Sequence, residues 1–238
     1  MTPLELAQQL CLIDHSTYST VVINELLGLS WQGKEAVNRA PNLTRVIGRL
    51  NKIASLCSYA VVTGASVSAR KQALSLICAV MKHLLELQNF ASLVAFSSSL
   101  QESSVFRMKK TFAALSPKKH QLIAQVKALF DSSSNYKVFR CLYQGCHSPC
   151  VPFIGIFLTD LTFTEEGNKD FTKGLVNFHK MMLLSDIISI TLAHQSSPYK
   201  FPPNHAFTSW LESQPDIPPQ TLYTISLVAE PRGSTVKV

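Results

Sequence analysis

The stretch Arg70–Leu87 constrains the fold more than any other. Leu74, Leu76, Ile77, Val80, Met81, Leu84 and Leu85 fall on nearly every side of a helix. A helix apolar all round cannot rest on a surface and has to be surrounded by other elements. Strand-like alternation is weak throughout, so the surrounding elements are read as helices too. With 238 residues the chain can supply them, since ~150 residues already bury about two-thirds of their unfolded surface.

The remaining helices follow from caps, breakers and apolar spacing. Thr2, Pro3 and Glu5 form a capping box ahead of Leu6, Ala7, Leu10 and Cys11. A short helix is expected over Thr20–Leu27, ending at Gly28, and a polar loop over Gly33–Pro41. Leu43–Val62 is helical, and Ser66 or Ser68 caps the central helix. Further helices are expected over Phe90–Leu100, Val105–Leu115, Lys119–Phe130 and from Tyr136 to Leu142. Pro149 and Pro152 precede a helix over Phe153–Leu161, and a long one covers Leu175–His194. Pro202–Pro219 is proline-rich with anchors at Phe207, Trp210 and Leu211, and Leu222–Val228 is a last apolar run. No repeat or internal linker is visible. The reading is one all-α, multi-helix domain of about ten helices over residues 1–232, with a frayed, disordered tail at 233–238.

Composition narrows the function classes. Hydrophobic residues make up 46% and charged residues 16%, which excludes wholesale disorder. The formal charge is +7. Its basic residues form only small groups, Arg107, Lys109, Lys110 and Lys118, Lys119, so a solvated face is favoured over nucleic-acid binding. An acidic protein partner or an anionic membrane surface stays open. The longest uncharged run is apolar only over Cys150–Leu158, too short for a bilayer span of ~20 residues. The opening MTPLELAQQL has no basic n-region, so a soluble, cytoplasmic chain with reduced thiols is expected.

Cys141, Cys146, His147 and Cys150 could in principle surround zinc. Paired C-x2-C knuckles are absent, and the run is read as packing, with no metal and no cofactor. The chain has no G-x-S-x-G, no H-E-x-x-H and no P-loop lysine motif, and its histidines are scattered. Covalent and acid–base catalysis have no visible home.

One segment stands out, PCVPFIGIFLTDLTFTEEGN from Pro149 to Asn168. It crowds Phe153, Ile154, Ile156, Phe157, Leu158, Leu161 and Phe163 into one short helix. Glu165 and Glu166 follow at the C-terminal end, where the helix dipole disfavours them. Gly167-Asn168 then turns the chain into the next helix, giving a hairpin with an apolar shaft and an acidic tip. From the residues alone, a buried hairpin with a solvated turn is the plainer reading.

This segment resembles the catalytic hairpin of the Ras guanine nucleotide exchange factor family, the domain shared by Son of sevenless and its relatives. The resemblance extends in order through PLELAQQLCLIDH, APNLTRVIGRLNKIASL, LLELQNFASLVAFSSSLQESSVFRMKKTFAAL, NYKVFR, LVNFHKM and LYTISLVAEPR. It implies an all-helical domain that binds a Ras-superfamily small GTPase of the Ras, Rap or Ral type and releases its GDP without covalent chemistry. The hairpin would insert beside the nucleotide. Thr162 matches the position that intrudes on the GTPase's Mg²⁺ site. Glu166, with Glu165 beside it, matches the carboxylate that competes with the phosphates. Val94, Gln101, Tyr136, Phe153, Ile156, Phe157 and Asn168 are the matching GTPase-binding positions. Membrane contact would come only through the partner or flanking regions, and a monomer is expected.

Three departures are visible. Gln101 stands where the family usually has Asn, Leu56 or Cys57 replaces a large aromatic, and Thr162 is smaller than the leucine of some members. The helical module that precedes the domain in the family is expected to be either cut from a longer protein or dispensable here, and without it a less rigid hairpin is expected. The alternative reading is an exchange-inactive domain that serves as a GTPase-binding scaffold.

Overall fold

The central helix runs Val67–Glu86, with the Ser66 side chain accepting from the Ala69 N–H as its cap. Leu74, Val80, Met81 and Leu84 are fully buried, while Leu76 faces solvent. The computed structural model describes residues 1–232, and the tail expected at 233–238 lies outside the described residues. In chain order the α-helices are α1 (Pro3–Tyr18), α2 (Ala36–Arg39), α3 (Pro41–Val62), α4 (Val67–Glu86), α5 (Phe90–Gln101), α6 (Ser103–Phe106) and α7 (Lys109–Ala113). They continue as α8 (Pro117–Leu129), α9 (Lys137–Gln144), α10 (Ile154–Gly167), α11 (Phe178–Leu192), α12 (His205–Ser213) and α13 (Pro219–Ala229). The all-α reading stands. The thirteen helices among the described residues exceed the expected ten because α2, α6 and α7 are single turns that carry no periodic pattern.

Two apolar clusters hold the molecule. The larger joins α1, α3, α4, α5, α8 and α9 around Leu10, Leu74, Met81, Leu84, Phe90 and Phe139. The smaller packs Val21, Leu26, Leu43 and Val46 against Ile154, Leu158 and Leu161 of α10 and Leu184 and Ile188 of α11. The second cluster is the root of the hairpin.

Buried charge stitches the larger body together. Asp14 is buried and accepts from Arg49 Nε (2.5 Å), Asn89 Nδ2 (2.8 Å) and the Ser92 hydroxyl. Asn89 also caps α5 by accepting from the Ser92 N–H (3.0 Å). Glu230, from the EPR motif, accepts the N–H groups of Lys110 (3.1 Å) and Thr111 (3.0 Å) and pairs with buried Arg70 (3.5 Å). It thereby caps α7 from 120 residues away, supplying a negative charge where the first-turn N–H groups are otherwise unpaired.

Several boundaries differ from expectation, each for a local reason. Over Thr20–Leu27 only Ile23–Leu26 winds, as a 3-10 turn, because Val22 is extended and Glu25 turns inward. The buried Glu25 carboxylate accepts from Asn42 N (2.9 Å) and Leu43 N (3.2 Å), capping α3. The helix expected over Val105–Leu115 breaks at Met108, where Glu230 starts α7 afresh. α10 continues past Leu161 to Gly167, and α11 starts only at Phe178. Between them Phe171–Thr172 pairs antiparallel with Leu175–Val176. Lys173 and Gly174 connect these strands with positive φ at both positions, as a tight two-residue hairpin turn requires. The reversal expected at Gly167-Asn168 is therefore spread over this ribbon.

Candidate functional site

α10 and α11 form the hairpin. Positions 154, 158 and 161 of α10 face inward at helical spacing and meet Leu184 and Ile188. Thr159, Phe163 and Glu166 lie along the exposed side of the same helix. Phe163 is 71% exposed, an unusual setting for a large aromatic, and sits one turn before Glu166. Sequence reading had counted it with the apolar shaft. Its position three before Glu166 carried the signal that it belongs to the outer face.

The two adjacent carboxylates have different surroundings. The Glu166 side chain is exposed and makes no hydrogen bond or ion pair among the described residues. Glu165 is bound on both sides. One oxygen accepts from the Gly28 N–H at 2.9 Å, and the other pairs with Lys180 Nζ at 2.6 Å. Lys180, buried in α11, also pairs with Asp170 at 2.6 Å. Burial pulls the ammonium's pKa down, but the hydrogen bonds and charges of Asp170 and Glu165 outweigh it and hold it above its ordinary value. Thr162 is half-buried. Its hydroxyl donates to Leu158 O (2.8 Å) and accepts from Gln32 Nε2 (3.2 Å). Asn168 ends α10, its amide donating to Thr164 O at 3.0 Å.

Beside the hairpin root lies an open groove of about 350 Å³ between α3, α5 and the start of α10. Val94 and Phe153 line it with Ile47, Asn51, Ser98 and Leu158. Gly155 leaves room for the Phe153 ring, which a Cβ at this position would approach to 2.8 Å and have to displace. The ring also meets Phe130 edge-on at 5.9 Å. A second, more polar cleft of about 530 Å³ continues along α3 past Ser98 to Lys52, Glu102 and Asp216.

Other expected positions fall around this groove. Tyr136 is half-buried against the main core. It follows Asn135 in a pair of consecutive left-handed residues (φ 51° and 55°), costing roughly 1–3 kcal/mol each. Arg140 holds that turn by donating to Asn135 O (2.8 Å) while forking onto Asp160 of α10 (2.8 and 2.9 Å). This link between α9 and the hairpin spans 20 residues and has no local sequence signal. Gln101 is exposed at the last position of α5. Ile156 and Phe157, expected to contact a partner, are instead core side chains at 0% and 4% exposure. They face the main cluster and back the groove rather than line it.

The Cys141–Cys150 run divides by depth. Cys150 is buried, Cys146 donates to Leu142 O at 3.3 Å, and Cys141 is exposed. No helix among the described residues is long and apolar enough to cross a membrane.

An open groove thus lies beside a rooted hairpin that displays an unpaired carboxylate. Comparison with known proteins gives the chain a family. The model of the RasGEF domain matches residues 5–182. Ras-specific guanine nucleotide-releasing factor 1 of Mus musculus is 32% identical over 234 residues, 98% of this chain and 18% of its own length. Ras guanine nucleotide exchange factor R of Dictyostelium discoideum is 33% identical over 229 residues, covering 96% of this chain and 13% of its own. Exchange factor J of the same organism is 32% identical over 230 residues, 96% of this chain and 28% of its own. The chain thus spans less than a third of the length of these relatives. It belongs to the RasGEF domain family.

Proposed function

We propose that the domain is a guanine nucleotide exchange factor for a Ras-subfamily GTPase of the Ras, Rap or Ral type. The single observation that carries the mechanism is the unpaired, exposed carboxylate of Glu166 on a hairpin whose root is packed and whose neighbouring Glu165 is tied down. Nucleotide is held on a GTPase by a cationic phosphate cradle and by Mg²⁺. A carboxylate brought into that cradle repels phosphate and offers the cradle's lysine or hydroxyl another partner. Thr162, one turn earlier, occupies space at the metal without replacing its bonds. The groove at Val94 and Phe153 receives an apolar switch segment of the GTPase, and Tyr136, Gln101 and Asn168 complete the contact surface.

The antagonism is reciprocal. The domain weakens nucleotide binding by the factor by which nucleotide weakens binding of the domain. Each ~1.4 kcal/mol lost from nucleotide binding is worth about tenfold in affinity. GTP then replaces GDP by mass action. No bond is made or broken, so the mechanism needs no nucleophile or resident cofactor. On this reading the domain works in the cytoplasm, is recruited to membranes where the GTPase resides, and acts as a monomer.

Release of a fluorescent GDP analogue from a panel of Ras, Rap, Ral and Rho-type GTPases tests this reading. Acceleration on a Ras-subfamily member, much reduced in Glu166→Ala and Phe153→Ala, is the expected result. Binding to nucleotide-free GTPase without acceleration on any member would favour a scaffold and direct attention to Gln101.

A further inference from the structure

The hairpin tip is fastened by a polar chain that neither the apolar root nor the groove requires. It begins at Arg39, whose guanidinium donates to the Gly28 carbonyl at 2.9 Å. The Gly28 N–H donates to Glu165, and Glu165 pairs with Lys180, which pairs with Asp170. Lys180 Nζ also donates to the Glu165 carbonyl at 3.3 Å. Five segments of the chain meet in this way: the turn at Gly28, Arg39 in α2, the last turn of α10, Asp170 in the link to the ribbon and the first turn of α11. A few residues along the same turn, Gln32 reaches Thr162.

Burying the Lys180 ammonium is costly unless it is paired and hydrogen-bonded, and here it has both. Gly28 adopts φ +57° and Leu29 φ +53°, a left-handed pair that turns the Gly28 N–H onto the carboxylate. The ties converge on the residue immediately before the free carboxylate. Successive side chains on a helix point about 100° apart, so fixing Glu165 fixes the direction in which Glu166 leaves the helix.

We infer that Glu165 and Lys180 are positioning residues: with Asp170, Gly28 and Arg39 they form a strut that sets the pose in which Glu166 and Thr162 are presented. The inference rests on the exchange reading above and assigns the two neighbouring carboxylates opposite tasks. Glu166 meets the GTPase's phosphate cradle, whereas Glu165 never leaves its own domain. Segment Gly28–Arg39 thereby becomes part of the exchange apparatus although it lies outside both hairpin helices.

The test uses the full chain and the GTPase that it serves. The rate of GDP-analogue release is measured against domain concentration for wild type, Lys180→Met, Lys180→Arg, Arg39→Met and, as a control, Lys82→Met. Lys82 makes only an exposed pair with Glu86 on α4. The strut predicts a maximal rate lowered roughly 10- to 100-fold in Lys180→Met, since small misplacements of reacting groups carry penalties of that size. Half-saturating concentration should change little, because the groove is untouched. Lys180→Arg should recover most of the rate, and Lys82→Met should match wild type.

Amide exchange over 162–178 should quicken in Lys180→Met while α4 and α5 keep their protection. Arg39 is exposed, so Arg39→Met folds even if Lys180→Met does not, and it should show the same pattern more weakly. Unchanged maximal rates in both Lys180→Met and Arg39→Met would overturn the strut. A wild type that accelerates no GTPase would overturn the exchange reading instead. The strut would then be judged on amide exchange alone, and an unaltered tip would overturn it.

Discussion

The helical body and the hairpin are held by different means. The body closes around a large apolar cluster pinned by buried charge at Asp14 and Glu230. The hairpin has a small apolar root, a polar strut and an outer face on which Phe163, Phe171, Leu175 and Phe178 are all more than half exposed. The contrast teaches that stability and presentation are separable here. On the proposed reading, the body sets whether the domain folds and the hairpin sets what it shows to a partner. Substitutions in the body should move the unfolding midpoint, and substitutions at exposed positions of the hairpin tip should move only the reaction.

The largest expected effect on stability is in the body. Asp14→Ala leaves the mostly buried Arg49 side chain without its partner and should cost about 3–5 kcal/mol by denaturant unfolding. A loss below about 1 kcal/mol would mean that the buried charge at Asp14 does not pin the body. Leu161→Ala, in the hairpin root, should cost about 2–5 kcal/mol at most. Its amide-exchange change should be confined to α10 and α11, whereas Leu84→Ala should loosen the central helices. Identical exchange patterns for the two would erase the distinction.

A smaller, pH-dependent effect is expected where the hairpin rejoins the body. His194 lies just beyond α11, with Nδ1 2.8 Å from the Ser148 hydroxyl and its ring edge-on to Tyr143. Burial first, and then the charges of His147 and His15, lower its pKa below 6.5. A histidine favoured neutral in the fold contributes stability that is full above its unfolded pKa and declines as pH falls toward the folded value. Midpoints should therefore fall below pH 6.5, and less so in His194→Gln. An equal slope in that variant would clear His194.

Thiol reactivity gives a finer contrast. Burial pushes the thiol pKa up to about 12 at Cys11 and Cys57 and about 11 at Cys78. At neutral pH, mass spectrometry after brief alkylation should find the label on exposed Cys141 well ahead of these three. Comparable labelling of Cys11 would contradict a closed body. The smallest stability effect belongs to the tip, where Glu166→Ala should stay within about 0.5 kcal/mol of wild type.

Much of the body was legible because its signals are local. The capping box at Thr2 and Glu5 forms as read, with α1 starting at Pro3. Ser66 caps α4, and the apolar pattern of Leu74 to Leu84 is buried. The misread elements obey distant partners. α7 begins where Glu230 reaches it, and the helix expected over Thr20–Leu27 shrinks to one turn where Glu25 reaches in to cap α3. At the site, the tip and the Phe153 groove were marked by sequence. The roles of Glu165 and Lys180 were not, because the strut joins positions 137 and 15 residues apart. The start of α11 was not read either, since the long helix was expected from Leu175 and the structure caps it at Asn177. The Asn177 side chain accepts from the Lys180 N–H and places the start of α11 beyond the ribbon.

The most direct measurement is GDP-analogue release from the responsive Ras-subfamily GTPase across a range of domain concentrations, wild type against Glu166→Ala. If the exposed carboxylate drives release, the maximal rate falls about tenfold or more while half-saturation and the unfolding midpoint barely change. A maximal rate equal to wild type, with only the half-saturating concentration altered, would make Glu166 a docking contact and contradict the proposed division of labour.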